Sequence, residues 1–366
     1  MNGILDLPSR IAALPGPARD RVERLFRVEV EQGHTDPPPE MRTWLESHFG
    51  SVAAVRDQSI IRVTNRWSLA GSLFSPLRGR RPIASGRREA YAKLIDASRG
   101  DPFCDPEHQT PADAWGRVRG RHAITGANAA MYDAHHGVLV FERHDPLAFD
   151  AEQVVEMLHL GREWADRSRA DDPPAVHYLL IWNCGPRAGG SVVHGHAQLL
   201  LGRGAPYPRL ERLLRDATAY AAATGSDYVS DMVAAHRDLG LVASEADSVA
   251  VMAHLNPLKE RELLIVGQPG MDEREPAFAR AVAHTVIAYR DALEVHAFNL
   301  ALHRPPLDAA EDPAWRRVPP MVHLVDRGDP GSAASDIGAM ELYAASVVGV
   351  DPFDVAPLLR AAIGTA

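Results

Sequence analysis

The chain has 366 residues, 46% hydrophobic and 24% charged, with a formal net charge of −9 and two cysteines. That length can bury the cores of two domains or two fused halves, and the acidic balance excludes a nonspecific nucleic-acid binder, which needs a broad basic surface. No apolar run reaches the roughly 20 residues that span a bilayer, Met1 to Arg10 lacks a signal-peptide core, and Cys104 and Cys184 do not make a disulfide framework, so a cytoplasmic protein is expected.

Residues 1 to about 55 read as a helical, polar N-terminal extension, broken at Asp36-Pro37-Pro38-Pro39. From Ile60 the pattern turns strand-like. Basic residues then cluster at Arg78, Arg80 and Arg81, either a solvated face or a clamp for phosphates. Arg121 to Tyr132 followed by Gly137 to Phe141 reads as strand, loop, strand. Asn128 lies there, either as a turn residue or as a contact to a nucleoside. Ala151 to Arg169 repeats Val154, Val155, Leu158, Gly161 and Trp164 at helical spacing and should pack as scaffold. Val176 to Trp182 is a buried strand.

The most informative stretch follows that strand. Asn183 leads into Gly185-Pro186-Arg187-Ala188-Gly189-Gly190-Ser191, then His194-Gly195-His196-Ala197-Gln198, then the apolar Leu199-Leu200-Leu201. On a strand, alternate residues share a face, so His194, His196 and Gln198 are expected to point the same way. Glycines beside Ser191 let backbone N–H groups approach an anion, because no Cβ stands between. Gln198 cannot donate a proton as an imidazolium does, but its amide can hold a phosphoryl oxygen.

Further along, Pro208 to Thr224 and Pro276 to His296 read as helices, and Ser248 to His254 and Glu262 to Gly267 as strands. Phe298 to His303 and Met321 to Arg327 then echo Tyr178 to Asn183 and His194 to Leu200. The order strand, strand, helix, strand, loop, strand occurs twice, with a nucleophile only in the first copy.

The string N-x-G-x-x-x-G-G-S-x-x-H-x-H-x-Q resembles the active-site signature of the histidine-triad (HIT) superfamily, in the branch of galactose-1-phosphate uridylyltransferases and dinucleoside polyphosphate phosphorylases. Asn65 to Arg78, Ile337 to Leu342 and Pro352 to Arg360 also look like segments of that branch. The resemblance implies an α+β fold of duplicated HIT-like halves, a mostly antiparallel sheet flanked by helices. Its divisions would be 1–55, a first half at 56–205 carrying the H-x-H-x-Q site, and a second half at 206–366. It implies His196 as nucleophile, with Gln198 and Ser191 supporting the transferred phosphoryl group. Asn183, Gly189, Gly190, Arg78, Arg80, Arg81 and Asn128 would bind substrate, and a homodimer is implied.

Asp101-Pro102-Phe103-Cys104 resembles the family's C-P-F-C, with Asp101 in place of the first cysteine. The resemblance implies a structural zinc held by Asp101, Cys104, His144 and His194, since carboxylate oxygen also ligates Zn²⁺. In the alternative, metal-free reading, Asp101 hydrogen-bonds His194 and orients it. His136 is the histidine of the His135-His136 pair expected to edge the pocket. His303 and His323 fall where some relatives hold a second metal, and none is assigned here.

The implied activity is transfer of a nucleoside monophosphate between a nucleotide sugar and a sugar 1-phosphate or phosphate through a covalent nucleotidyl-histidine, as in galactose metabolism. The alternatives are a diadenosine tetraphosphate phosphorylase and a catalytically silent nucleotide-binding protein.

Overall fold

The computed structural model describes residues 3–80, 88–332 and 335–364. Arg81 and the side chain of Arg80, both expected to meet phosphate, lie outside the described residues. Among the described residues, thirteen strands form two sheets. The smaller holds β1 (Phe26–His34), β2 (Asp57–Asn65), β3 (Gly71–Phe74) and β13 (Ser346–Val348) in the order β1-β2-β3-β13, with only β13 against β3 parallel. The larger contains β4 (Ala123–Ala127), β5 (His135–Phe141), β6 (Ala175–Cys184), β7 (His196–Arg203), β8 (Val242–Ala246), β9 (Val249–Ala253), β10 (Leu263–Val266), β11 (Phe298–His303) and β12 (Met321–Asp326). Its order is β4-β5-β7-β6-β11-β12-β10-β9-β8, antiparallel throughout.

Two identical motifs meet in that large sheet. In the first, β4 and β5 form a hairpin, the helix Ala151–Asp171 crosses over, and β6 and β7 return, giving the order β4-β5-β7-β6. In the second, β9, β10, the helix Pro276–Asp291, β11 and β12 give β9-β10-β12-β11. The copies join where β6 pairs β11, with Asn183 opposite Asn299 and Ile181 opposite Ala301. The duplication read from the two echoes is thus a real architectural repeat.

One expectation needs correction. Phe26–His34 is not helical but a strand paired with β2. Arg27-Val28-Glu29-Val30-Glu31 alternates charged and β-branched residues with period two, and a strand satisfies that pattern where a helix would smear it around its circumference. The flanking segments Leu7–Ala13, Gly16–Leu25 and Arg42–Phe49 are helical.

The two crossover helices lie side by side on one face of the large sheet. The first begins at Asp150, whose carboxylate accepts from the Gln153 N–H at 3.0 Å, a cap that contributes about 1 kcal/mol. Its inner face buries Val154, Leu158 and Trp164. Two glycines make that approach possible: a Cβ on Gly137 would sit 2.7 Å from the Trp164 ring, and one on Gly161 2.5 Å from Tyr178 Oη. Around the strand junction Trp182, wholly buried, meets Phe141, Phe149 and Phe298 edge-on at 5.2, 4.9 and 5.0 Å. With one face occupied by helices, side chains of alternate strand residues emerge on the other. No helix among the described residues is long and apolar enough to cross a membrane.

Candidate active site

β7 begins at His196, so His196 and Gln198 share the open face while Ala197 and Leu199 join the core. His194 departs from expectation: it precedes the strand, because Gly195 crosses the chain between β5 and its following turn. The Gly195 carbonyl accepts from Phe141 N at 3.0 Å and its N–H donates to His144 O at 3.2 Å. A Cβ there would press on the Phe141 ring at 3.0 Å.

His196 is buried, and Nδ1–H donates to the His194 carbonyl at 2.8 Å. A carbonyl only accepts, so the proton sits on Nδ1 and Nε2 carries the lone pair. Burial pushes the imidazole pKa below its ordinary value, which keeps the ring neutral. Phe103 packs edge-on against the ring at 4.9 Å and fixes its plane.

Gln198 accepts through Oε1 from Tyr132 Oη at 2.5 Å, and the same oxygen lies 3.2 Å from His136 Nε2. That occupies the carbonyl end of the amide and leaves the Nε2 end as its donor. His136 Nε2 is also 3.1 Å from Asn128 Nδ2, while Asn128 Oδ1 accepts from Ala130 N–H. Asn128 is therefore a turn residue that also contacts the histidine behind Gln198.

Between Asn183 and the histidines the chain makes a 3-10 turn, Pro186–Ala188, with Gly185 and Gly189 at φ 85° and 96°, a region that disfavours side chains. The N–H groups of Gly189 and Gly190, expected to face an anion, instead close this turn: they donate to Pro186 O at 3.0 Å and Gly185 O at 3.2 Å. The glycines serve its shape. Ser191 is exposed at its end. Asn183 accepts through Oδ1 from Asn299 Nδ2 at 2.7 Å, and the same nitrogen donates to Ala188 O at 2.7 Å. Arg327 in turn donates to Asn299 Oδ1 at 2.6 Å and is clamped by both oxygens of Asp336. Arg78 is exposed, on a turn whose Gly79 abuts Gly349.

Asp101, Cys104, His144 and His194 converge, with one ligand atom from each lying within 4.8 Å of the others. His194 Nε2–H donates to Phe141 O at 2.7 Å and His144 Nε2–H to Ile95 O at 2.9 Å. Both Nδ1 atoms therefore present lone pairs to one another, 3.2 Å apart. Cys104 Sγ lies 3.3 and 3.6 Å from them, and the Asp101 oxygens 3.8 and 3.6 Å. Buried Asp101 Oδ2 has no hydrogen-bond partner. The Cys104 thiol can supply only one proton to this group, so at least one imidazole lone pair still faces the carboxylate, an arrangement a cation would relieve. The spacings match a tetrahedron of about 2.0–2.3 Å bonds, whose donors stand about 3.3–3.8 Å apart. The group can hold a metal. The metal-free alternative fits poorly, since the His194 proton is committed to Phe141 O rather than to Asp101.

Sequence reasoning missed Phe103, Tyr132, Asn299 and Arg327. Phe103 carried a signal, being fixed between two ligand positions. Asn299 carried another, in the echo of the strand that ends at Asn183.

No family model and no curated protein sequence matches the chain. Among solved structures, it is similar to an ADP-glucose phosphorylase from Arabidopsis thaliana with bound ADP-glucose, at TM-score 0.64 and 16% identity over 82% of this chain and 98% of that one. A GalT-like protein from the same plant gives TM-score 0.59 at 16% identity, over 72% and 92%. A uridylyltransferase gives 0.57 at 16%, over 84% and 99%. With its repeated motif and these likenesses, the chain has the same duplicated α+β fold as these phosphorylase and uridylyltransferase structures.

Proposed function

We propose that the protein is a nucleotidyltransferase that moves a nucleoside monophosphate from a nucleotide sugar to a phosphorylated acceptor or inorganic phosphate. The observation that carries this reading is the tautomer of His196: Nδ1–H bound to His194 O, the ring neutral, and Nε2 free to attack. In the first step Nε2 forms a bond to the α-phosphorus while the bond from that phosphorus to the bridging oxygen breaks, and the sugar phosphate leaves. In the second an acceptor phosphate oxygen attacks the same phosphorus, the N–P bond breaks, and its electron pair returns to Nε2. Two inversions give net retention.

Gln198 Nε2, the Ser191 hydroxyl and Asn183 supply neutral donors for the phosphoryl oxygens, and Arg78, Arg80 and Arg81 cationic ones for the leaving phosphate. The glutamine favours transfer over hydrolysis, because it delivers no proton to a leaving group or water. The first half, 56–205, does the chemistry and the second, 206–366, supports it through Asn299. Asp101, Cys104, His144 and His194 would hold zinc, which as a structural ion links the 101–104 loop to the turn before the nucleophile.

Incubation with UDP-glucose, GDP-glucose, ADP-glucose and diadenosine tetraphosphate, followed by intact-protein mass spectrometry, tests the reading, since the mass gained names the nucleotide. A His196→Gly variant should gain none. Labelling that persists in that variant, or no adduct from any donor, overturns it.

A further inference from the structure

The repeat gives the strand residues of the candidate active site structural counterparts in the second half. Gln198 pairs with Val138 and Ile181, whereas His323 pairs with Leu264 and Ala301, and Ile181 pairs with Ala301 across the junction. Stepping along the ladders, His323 stands where Gln198 stands, His303 where Asn183 does, and Met321 where His196 does. In the outer hairpins Ala127 pairs with Gly137 and Ala253 with Leu263, so His254 replaces Asn128 and Glu262 replaces His136. The backbone agrees: Asn128 N–H donates to His136 O at 2.7 Å, and His254 N–H to Glu262 O at 2.9 Å.

The mirror position is a cavity of about 310 Å³ lined by His254, His303, His323, Asn256, Arg209 and Arg212, among others. Its chemistry has shifted from amides to imidazoles and two arginines, with His303 kept neutral by burial and able to offer an N–H. Buried Glu262 accepts from His323 Nδ1 at 2.9 Å and lies 3.3 Å from His254 Nδ1, and the two imidazoles keep its carboxyl well below the usual range despite burial. Arg212 faces the Asp216 carboxyl, which also lines the cavity, whereas among the described residues Arg209 forms no ion pair, and the first turn of the helix Pro208–Thr224 brings Arg209 to the cavity with the positive end of its dipole. His303 lies edge-on to His323 at 5.4 Å. The ligand atoms of this cluster do not converge as those of Asp101, Cys104, His144 and His194 do, which is the one such group among the described residues. Met321 in the nucleophile's place leaves no group to attack phosphorus.

We propose that this mirror cavity binds a small phosphorylated anion, inorganic phosphate or a sugar phosphate, without reacting with it. Arg209 and His303 form its main contacts. The inference rests on the duplicated sheet and does not depend on His196 forming an adduct.

Isothermal titration of the full chain with inorganic phosphate and, separately, glucose 1-phosphate is the test, applied to the wild type and to Arg209→Ser, His303→Gln and His196→Gly variants. One equivalent should bind the His196→Gly protein with unchanged affinity at this cavity. Arg209→Ser, at an exposed position that keeps the fold, and His303→Gln should each weaken that equivalent about tenfold or more. The better ligand of the two distinguishes free phosphate from its ester. Anion binding insensitive to both second-half substitutions would overturn the proposal, as would no binding of either anion to the His196→Gly protein.

Discussion

Asn299 Nδ2 donates at 2.7 Å both to Asn183 Oδ1 and to the Ala188 carbonyl, so a single amide from the second half ties the end of β6 to the turn that follows it. The strand pairing puts the two asparagines directly opposite one another, and Arg327 holds the far side of the Asn299 amide.

Removing that amide should disorganise the turn before it harms the fold. Asn299→Ala gives up three hydrogen bonds in a partly buried setting, two donated and one accepted from Arg327, about 1–3 kcal/mol. Single-turnover nucleotidylation should slow roughly five- to hundredfold if the loss falls on the transition state. Circular dichroism should remain that of the wild type. An unchanged rate would show that Asn183 and Ala188 keep their places without it.

Gly190 leaves a side chain little room. A Cβ would lie 3.0 Å from the Asn183 carbonyl oxygen and 3.1 Å from that of Gly185, both backbone atoms with little freedom to withdraw. Gly190→Ala should cost about 1–3 kcal/mol in denaturant unfolding and should depress adduct formation with it. Gly204→Ala is the contrasting control: φ is 77° there, so backbone strain is present, but nothing lies within 4 Å of the added atom. Its adduct formation should match the wild type.

Chelation should destabilise the protein. With the metal gone, His144 and His194 face each other through lone pairs 3.2 Å apart beside a carboxylate and a thiol. Treatment with a strong chelator should lower the melting temperature, and restoring Zn²⁺ should recover it. Cys104→Ser should reduce the metal content found by elemental mass spectrometry, while Asp101→Cys should retain it. Equal metal content in Cys104→Ser and wild type would count against this ligand set.

Acid should weaken the fold through His236. This wholly buried ring donates from Nδ1 to Met232 O at 2.8 Å and accepts at Nε2 from the Leu255 N–H at 3.0 Å. Burial, with the neighbouring His254, lowers its pKa to about 3. Above about pH 6.5 the ring is neutral folded or unfolded, and stability is insensitive to it. Below that the unfolded chain takes up a proton that the folded chain refuses, so stability falls with falling pH, by up to about 1.4 kcal/mol per unit, until the folded pKa is reached. Imidazole resonances of folded His236 should hold their neutral positions from pH 7 to 5. A midpoint near 6.5 would contradict the burial argument.

Regular elements with strong periodicity were legible in the sequence. The helix expected from Pro208 to Thr224 has those bounds, and the one from Ala151 extends to Asp171. The helix from Pro276 stops at Asp291 instead of His296, because Glu294 adopts φ 52° before β11. Val242–Ala246 and the helix Tyr228–Asp238 gave little signal, since the strand is a short, half-exposed edge whose pairing is set by β9. In the site, the residues that the family resemblance implies as metal ligands do converge, although Cys104, His144 and His194 stand 40 to 90 residues apart, so a motif and not a periodic pattern points to them. Tyr132 and Arg327 reach Gln198 and Asn299 across 66 and 28 residues of chain, and such long-range contacts leave no periodic trace.

His194 has two jobs in one residue: its ring belongs to the cluster around Asp101, and its carbonyl decides which nitrogen of His196 bears hydrogen. The candidate metal group and the His196 ring are thus joined through two peptide units. Were zinc bound there as proposed, its removal would free the side-chain anchor of the very carbonyl that keeps the attacking nitrogen bare, so a structural ion would govern reactivity without ever meeting the substrate.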